Sequence, residues 1–132
     1  DTAFALTEET LLRMVKVNVI GPALTAQAYL PYLEKGKRKV VVNVSSGLGS
    51  IASNHGGQIT SYCLGKTAPK AAERPDLITL VINPGWVRMD IGGPNAPLST
   101  KDSVYGLLKV VIPATKDQSG RFFSHNRDII PW

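Results

Sequence analysis

The spacing of apolar residues changes several times along the chain, and each change marks an element. Leu11, Leu12, Val15, Val19, Ala23, Leu24, Ala26, Leu30 and Leu33 recur at helical spacing. Thr7 followed by Glu8 and Glu9 reads as the start of that helix, a hydroxyl cap with acids at the positive end of the dipole. The spacing predicts a helix running to about residue 35, bent or interrupted at Pro22 and Pro31 and ended by Gly36. The apolar residues of "KVVVNVSS", 39 to 46, are continuous rather than alternating. Such a run suits a strand buried on both faces of a parallel sheet. "LITLVIN", 77 to 83, reads the same way. Between them, "GLGSIASNHGGQIT" is a polar, glycine-rich loop, after which a helix should start near Ser61.

"PGWVRMDIGGPNAPLS" reads as a long loop after the second strand. Ser99 with Asp102 three residues on resembles a capping box, so a helix should run from about 100 to 112. "GRFFSH" has the look of a short last strand. The order helix, strand, helix, strand, helix, strand predicts an α/β fold with right-handed crossovers. Ligands of such sheets sit beyond the carboxyl ends of the strands, where both glycine-rich loops lie.

Composition narrows the picture a little. At 132 residues, 43% apolar and 19% charged, the chain has the make-up of a single soluble globular domain. No apolar run approaches the ~20 residues of a membrane span, and the first residues lack the basic head and apolar stretch of a signal peptide. One cysteine makes no internal disulfide, which fits a reducing, cytoplasmic setting. The net charge of +5 is scattered apart from "EKGKRK", 34 to 39, which reads as a solvated turn. No aromatic residues interleave with it, so a nucleic-acid-binding module is the weakest of the function classes. His55 and His125 are far apart, with no carboxylate or cysteine cluster at metal-ligand spacing, so no metal is expected.

The chemistry centres on "SYCLGK", 61 to 66, where Tyr62 and Lys66 stand at i and i+4 and share a helix face. A lysine cation favours the phenolate of a nearby tyrosine, and a tyrosine so tuned exchanges a proton with an alcohol or carbonyl oxygen. The spacing alone is weak, since chance supplies roughly 0.3 such pairs in a chain of this composition. Cys63 reads as packing. Trp86 reads equally as a wall of a substrate pocket or as core.

Context raises the odds. "VNVIGP" lies in the first helix, "VVVNVSS" ends one buried strand and "VINPGWV" ends the next. Together and in this order they resemble the short-chain dehydrogenase/reductase family. "SSGLGSIA" and "NPGWVRMDIGGPNAPLS" look most like its sniffer-type carbonyl reductase branch. The resemblance covers nearly the whole chain. It implies part of a Rossmann-type doubly wound parallel sheet, namely the last three strands and their helices. It also implies an NAD(P)-dependent oxidoreductase that moves a hydride between a nicotinamide cofactor, NADP or NAD, and a small carbonyl or alcohol substrate. Tyr62 would be the general acid-base, and Lys66 would hold the nicotinamide ribose and favour the phenolate. Ser46 would hydrogen-bond the substrate oxygen. Asn18 would help hold a water in a relay reaching Lys66. Pro84, Gly85 and Val87 would line the nicotinamide, with backbone groups of Val87 reaching its carboxamide.

Three departures from the family pattern qualify this. Residues 1–132 read as one domain, the C-terminal part of the family's fold. They contain no T-G-x-x-x-G-x-G turn and no N-N-A-G segment, so the glycine-rich phosphate-binding half is absent. After Lys66, "KTAPKAAERPD" is short for the crossover helix: residues 61 to 74 give at most ~21 Å of helix, broken at Pro69. Met89 stands where the family has a threonine near the cofactor. In the family's sheet order "KVVVNVS" would then be an exposed apolar edge, and the chain by itself would be marginally stable. A catalytically silent fragment that pairs with another chain, or a homo-oligomer, is the alternative reading.

Overall fold

The computed structural model describes residues 5–53, 62–63 and 76–132. The expected α/β sheet is present, with strand order β1-β2-β3-β4. β1 (Val40–Val44), β2 (Ile78–Asn83) and β3 (Phe122–Ser124) run parallel, and β4 (Ile129–Ile130) closes the edge antiparallel to β3. β4 was not anticipated from the sequence. Three helices are described: α1 (Glu8–Val15), α2 (Gly21–Glu34) and α3 (Thr100–Val111).

β2 is the middle of the sheet and is buried along its length except at Asn83. One of its faces presents Ile78, Leu80 and Ile82, which pack with Val110, Ala114 and Phe123 and with Val40, Val42, Leu107 and Val111. The alternation follows from the two-residue period of a strand. On the other face Val81 pairs in register with Phe122, whose ring lies 5.4 Å from that of Trp132. β1 differs from its apolar reading. It has a β neighbour on one side only and is half-buried, with Val44 55% exposed. Among the described residues it stands at the edge of the sheet.

The first helical stretch begins as expected: Thr7 Oγ1 accepts the amide of Thr10 at 3.2 Å. It is not continuous. Pro22 has no amide to offer the carbonyl of Asn18, four residues back. The chain widens into a π turn over Lys16–Ile20, and the amide of Gly21 reaches the carbonyl of Lys16, five residues back. Pro31 lies inside α2 without ending it. Neither α1 nor α2 buries a residue completely, and Leu24, Tyr29 and Tyr32 are exposed.

α3 is the better-anchored helix. Ser99 Oγ accepts the amide of Asp102 at 3.1 Å, the cap that the sequence implied. Its carboxyl end is held by Arg38, whose guanidinium donates to the carbonyls of Val111 at 2.7 Å and Ala114 at 2.9 Å. A cation satisfying the last carbonyls suits the negative end of the dipole. The basic run is therefore not wholly solvated: Arg38 ties the β1 entry to α3, and Lys39 pairs with Asp76 at 3.5 Å. The latter pair is partly exposed and contributes little.

Leu80→Ala is expected to cost about 2–5 kcal/mol, the range for emptying a fully enclosed apolar site. Ser99→Ala should cost ~1 kcal/mol through the lost cap. Urea unfolding followed by circular dichroism checks both. A Leu80→Ala loss no larger than that of Ser99→Ala would show that β2 is not the centre of the core.

Candidate active site

The chain leaves β1 and β2 at their carboxyl ends, side by side. The amide of Ser45 still donates to the carbonyl of Ile82 at 2.8 Å, so the two exits are held in register. Ser46 follows at once. It caps a short 3-10 turn, Gly47–Gly49, and its Oγ accepts the amide of Leu48 at 3.3 Å. That use takes one lone pair and leaves the hydroxyl proton available to another acceptor.

On β2 the exit is "NPG". Asn83 Oδ1 accepts the amide of Gly85 at 3.0 Å, the Asx-type bond that Asn makes to the backbone two residues on. The same side chain reaches across to the β1 exit. A Cβ on Gly47 would stand 3.2 Å from Asn83 Nδ2, so Asn83 is the contact through which the two loops meet. Gly85 has φ +82°, in the left-handed region that favours glycine. A side chain there would also meet His125 at 2.9 Å and Leu98 at 3.0 Å. From behind, the hydroxyl of Ser103, buried on α3, donates to the Pro84 carbonyl at 2.7 Å.

Val87 is buried and forms an isolated bridge with Leu98. The bridge runs through the amide of Arg88 to the Leu98 carbonyl at 2.9 Å and the amide of Leu98 to the Trp86 carbonyl at 3.3 Å. It therefore makes no use of Val87's own amide and carbonyl. Trp86 is 60% exposed, which removes the core reading of that residue. Its indole donates to the carbonyl of Gly92 at 2.8 Å and folds the loop back on itself. Met89 and Ile91 are exposed on the same loop.

Tyr62 is half-buried on a helical turn, and Cys63 beside it is buried, in line with its reading as packing. Lys66, His55 and Pro69 lie outside the described residues. Asn18 is in the π turn, where its Nδ2 donates to the Met14 carbonyl at 3.2 Å. The structure thus brings Ser46 together with Pro84, Gly85 and Val87. Asn83 and Ser103 were missed as site residues. Asn83 carried a signal, since Asn two residues before Gly favours that turn; Ser103, nineteen residues from its partner, carried none.

Among the described residues no group of three His, Cys, Asp or Glu is placed to hold a metal ion. No described helix is long and apolar enough to cross a membrane.

No family model matches the chain. Among known proteins it is similar to the C-signal of Myxococcus xanthus, 37% identical over 130 residues that span 92% of this chain and 78% of that protein. It is similar to the short-chain dehydrogenase RED3 of Pyricularia oryzae, 32% identical, spanning 89% of this chain and 55% of the relative. Of solved structures, the NADPH-bound carbonyl reductase from chicken fatty liver superimposes with TM-score 0.91 at 27% identity. The carbonyl reductase Sniffer of Drosophila melanogaster does so with TM-score 0.90 at 26% identity. The whole chain is matched in both cases, but it spans only 61% of each reductase, in their C-terminal portion. With its Ser46 loop and its Asn-Pro-Gly exit on the same parallel sheet, the chain belongs to the short-chain dehydrogenase/reductase family.

Proposed function

We propose that this chain carries the acid-base centre and the nicotinamide-facing wall of an NAD(P)-dependent reductase acting on a small carbonyl or alcohol. The observation that carries the reading is the meeting of the Ser46 loop and the Pro84–Val87 turn at the carboxyl ends of adjacent parallel strands. Such a crevice is where open α/β sheets take their ligands.

The residues present fit the nicotinamide end of NADP or NAD. Val87 keeps its amide outside its bridge, a donor that suits the oxygen of a carboxamide, while its carbonyl oxygen lies against Gly92. Gly85 adds no side chain between the turn and its surroundings. A bound nicotinamide cofactor supplies the hydride chemistry; the protein supplies position and electrostatics. Ser46 would donate its hydroxyl proton to the substrate oxygen and orient the carbonyl. Tyr62 would give that oxygen its proton in reduction, or take it in oxidation. Lys66, four residues on, would hold the ribose, and Asn18 would help hold a water that refills the proton. The single-domain reading, with the phosphate-binding half outside these residues, belongs to the same proposal.

A second reading has an observation of its own. β1 is an apolar strand that stands at the edge of the sheet among the described strands, a place where strands of other chains can pair. The C-signal relative is named for a signal rather than a reaction, and 78% of it is matched. On this reading the chain is catalytically silent and acts by strand pairing.

Turnover separates the two. With NADPH and an aromatic ketone, Tyr62→Phe should lower the rate by about 10²–10⁴-fold, the usual share of a positioned acid-base group, with an unchanged unfolding midpoint. A parent rate that survives the substitution would remove Tyr62 from its role. Strand pairing predicts instead that Val44→Lys reduces concentration-dependent association in light scattering.

NADPH binding to the 132-residue chain by itself is expected to be weak or undetectable by calorimetry, because the helix N-terminus that would hold the phosphates is not among these residues. Micromolar or tighter binding would overturn that expectation.

A further inference from the structure

Residues past β3 touch both loops of the site. Ser50, on the loop that begins at Ser46, is completely buried, and its hydroxyl donates to the carbonyl of Pro131 at 2.6 Å. The same oxygen accepts the amide of Ser53 at 3.1 Å. The amide of Ala52 donates to the carbonyl of Trp132 at 3.1 Å. Three bonds therefore fasten this loop, and two of them end on Pro131 and Trp132. The Trp132 ring in turn rests 5.4 Å from Phe122 of β3, so the fastening point is anchored to the sheet.

The second loop is met at His125. Its imidazole stands where a side chain on Gly85 would go, 2.9 Å from that position, and its carbonyl lies where a Cβ on Gly106 of α3 would intrude. His125 is thus wedged between the Pro84–Gly85 turn and α3. Its Nδ1 is buried with no hydrogen-bond partner. Leaving a buried ring nitrogen without a partner is costly, and native structures keep such groups where another demand outweighs it. Here the demand is shape: the ring is the surface against which the turn closes.

We propose that the segment from His125 to Trp132 is a brace that positions the two site loops independently, with Ser50 and His125 as the positioning residues; the proposal rests on the reading of the site given above. Ser50 sets the loop that presents Ser46. His125 sets the backbone from Pro84 to Val87. Neither residue touches a reacting group.

Amide hydrogen exchange on the full 132-residue chain tests this without any turnover. Ser50→Ala should speed exchange at Ala52 and Ser53 by about tenfold or more, with Gly85, Arg88, Leu80 and Val81 unchanged. His125→Ala should do the reverse, speeding Gly85 and Arg88 by a similar factor while Ala52 and Ser53 hold. Equal acceleration at all of these amides would mean general loosening and would overturn the brace, as would no acceleration. If a variant does not fold, the parent decides the matter. Titrated with low denaturant, its Ala52 amide should open in one unit with the β3–β4 pair; opening ahead of that pair overturns the proposal. Where the parent turns over, Ser50→Ala should lower kcat and leave the KM for NADPH in place. Turnover that survives Tyr62→Phe strikes the reading of the site, while the exchange result still decides the brace.

Discussion

The burial of β2 is the constraint from which the rest follows. It is the one described strand flanked by parallel neighbours on both sides, with Leu80 and Val81 shut off from solvent. A strand enclosed in this way has little freedom of register, because a slip of one residue would exchange its two faces. Its carboxyl end is therefore a fixed point. Asn83 stands at that point and turns the fixed register into a fixed loop geometry. Its Oδ1 shapes the turn at Gly85, and its Nδ2 abuts the β1 exit at Gly47. The alignment of Ser46 with Pro84 and Val87 is then a consequence of core packing rather than of contacts between those residues.

The same constraint explains why the chain is uneven. Downstream of Asp76, α3 and β3 pack on β2 through Val110, Ala114 and Phe123. α1, the π turn and α2 bury no residue completely. Among the described strands β1 has only β2 as a neighbour. That half is tied to the well-packed half by the β1–β2 ladder, and Arg38 adds two bonds to the end of α3. The apolar run "VVVNV" carries more hydrophobic surface than an edge needs, which makes sense for a strand whose composition suits an interior position.

What could be read from the sequence was what local chemistry determines. Thr7 and Ser99 capped the helices they were expected to cap, because a cap needs only a hydroxyl and an amide three residues on. The runs at 40–44 and 78–83 were legible as strands because no turn residue interrupts them. Pro22 announced a disturbance but not its form, since a missing amide is compatible with a kink, a break or the π turn that forms. Other features were not legible. β4 is two residues long and depends on Arg127 at φ 75°, a conformation with no glycine to signal it. The bond from Ser50 to Pro131 spans 81 residues, and that from Arg38 to Ala114 spans 76. No periodicity reports such pairs. Tyr62 and Lys66 were legible as a pair from spacing and context, and Lys66 lies outside the described residues.

These two kinds of information divide the site between them. The residues proposed to do chemistry sit in short motifs that a sequence displays. The residues that hold those motifs in place, Asn83, Ser103, Ser50 and His125, are common polar types whose importance comes from where the fold puts them. A hydroxyl beside a proline carbonyl is unremarkable until the fold buries it, and a histidine is an ordinary packing residue until a glycine at φ +82° closes against it. Preorganised geometry is what turns a weakly acidic phenol and a serine into a catalytic pair, since misplacement by about an ångström can cost two orders of magnitude. A chain of this family can therefore keep Ser46, Tyr62 and the Pro-Gly turn and still lose its reaction through positions that no motif contains.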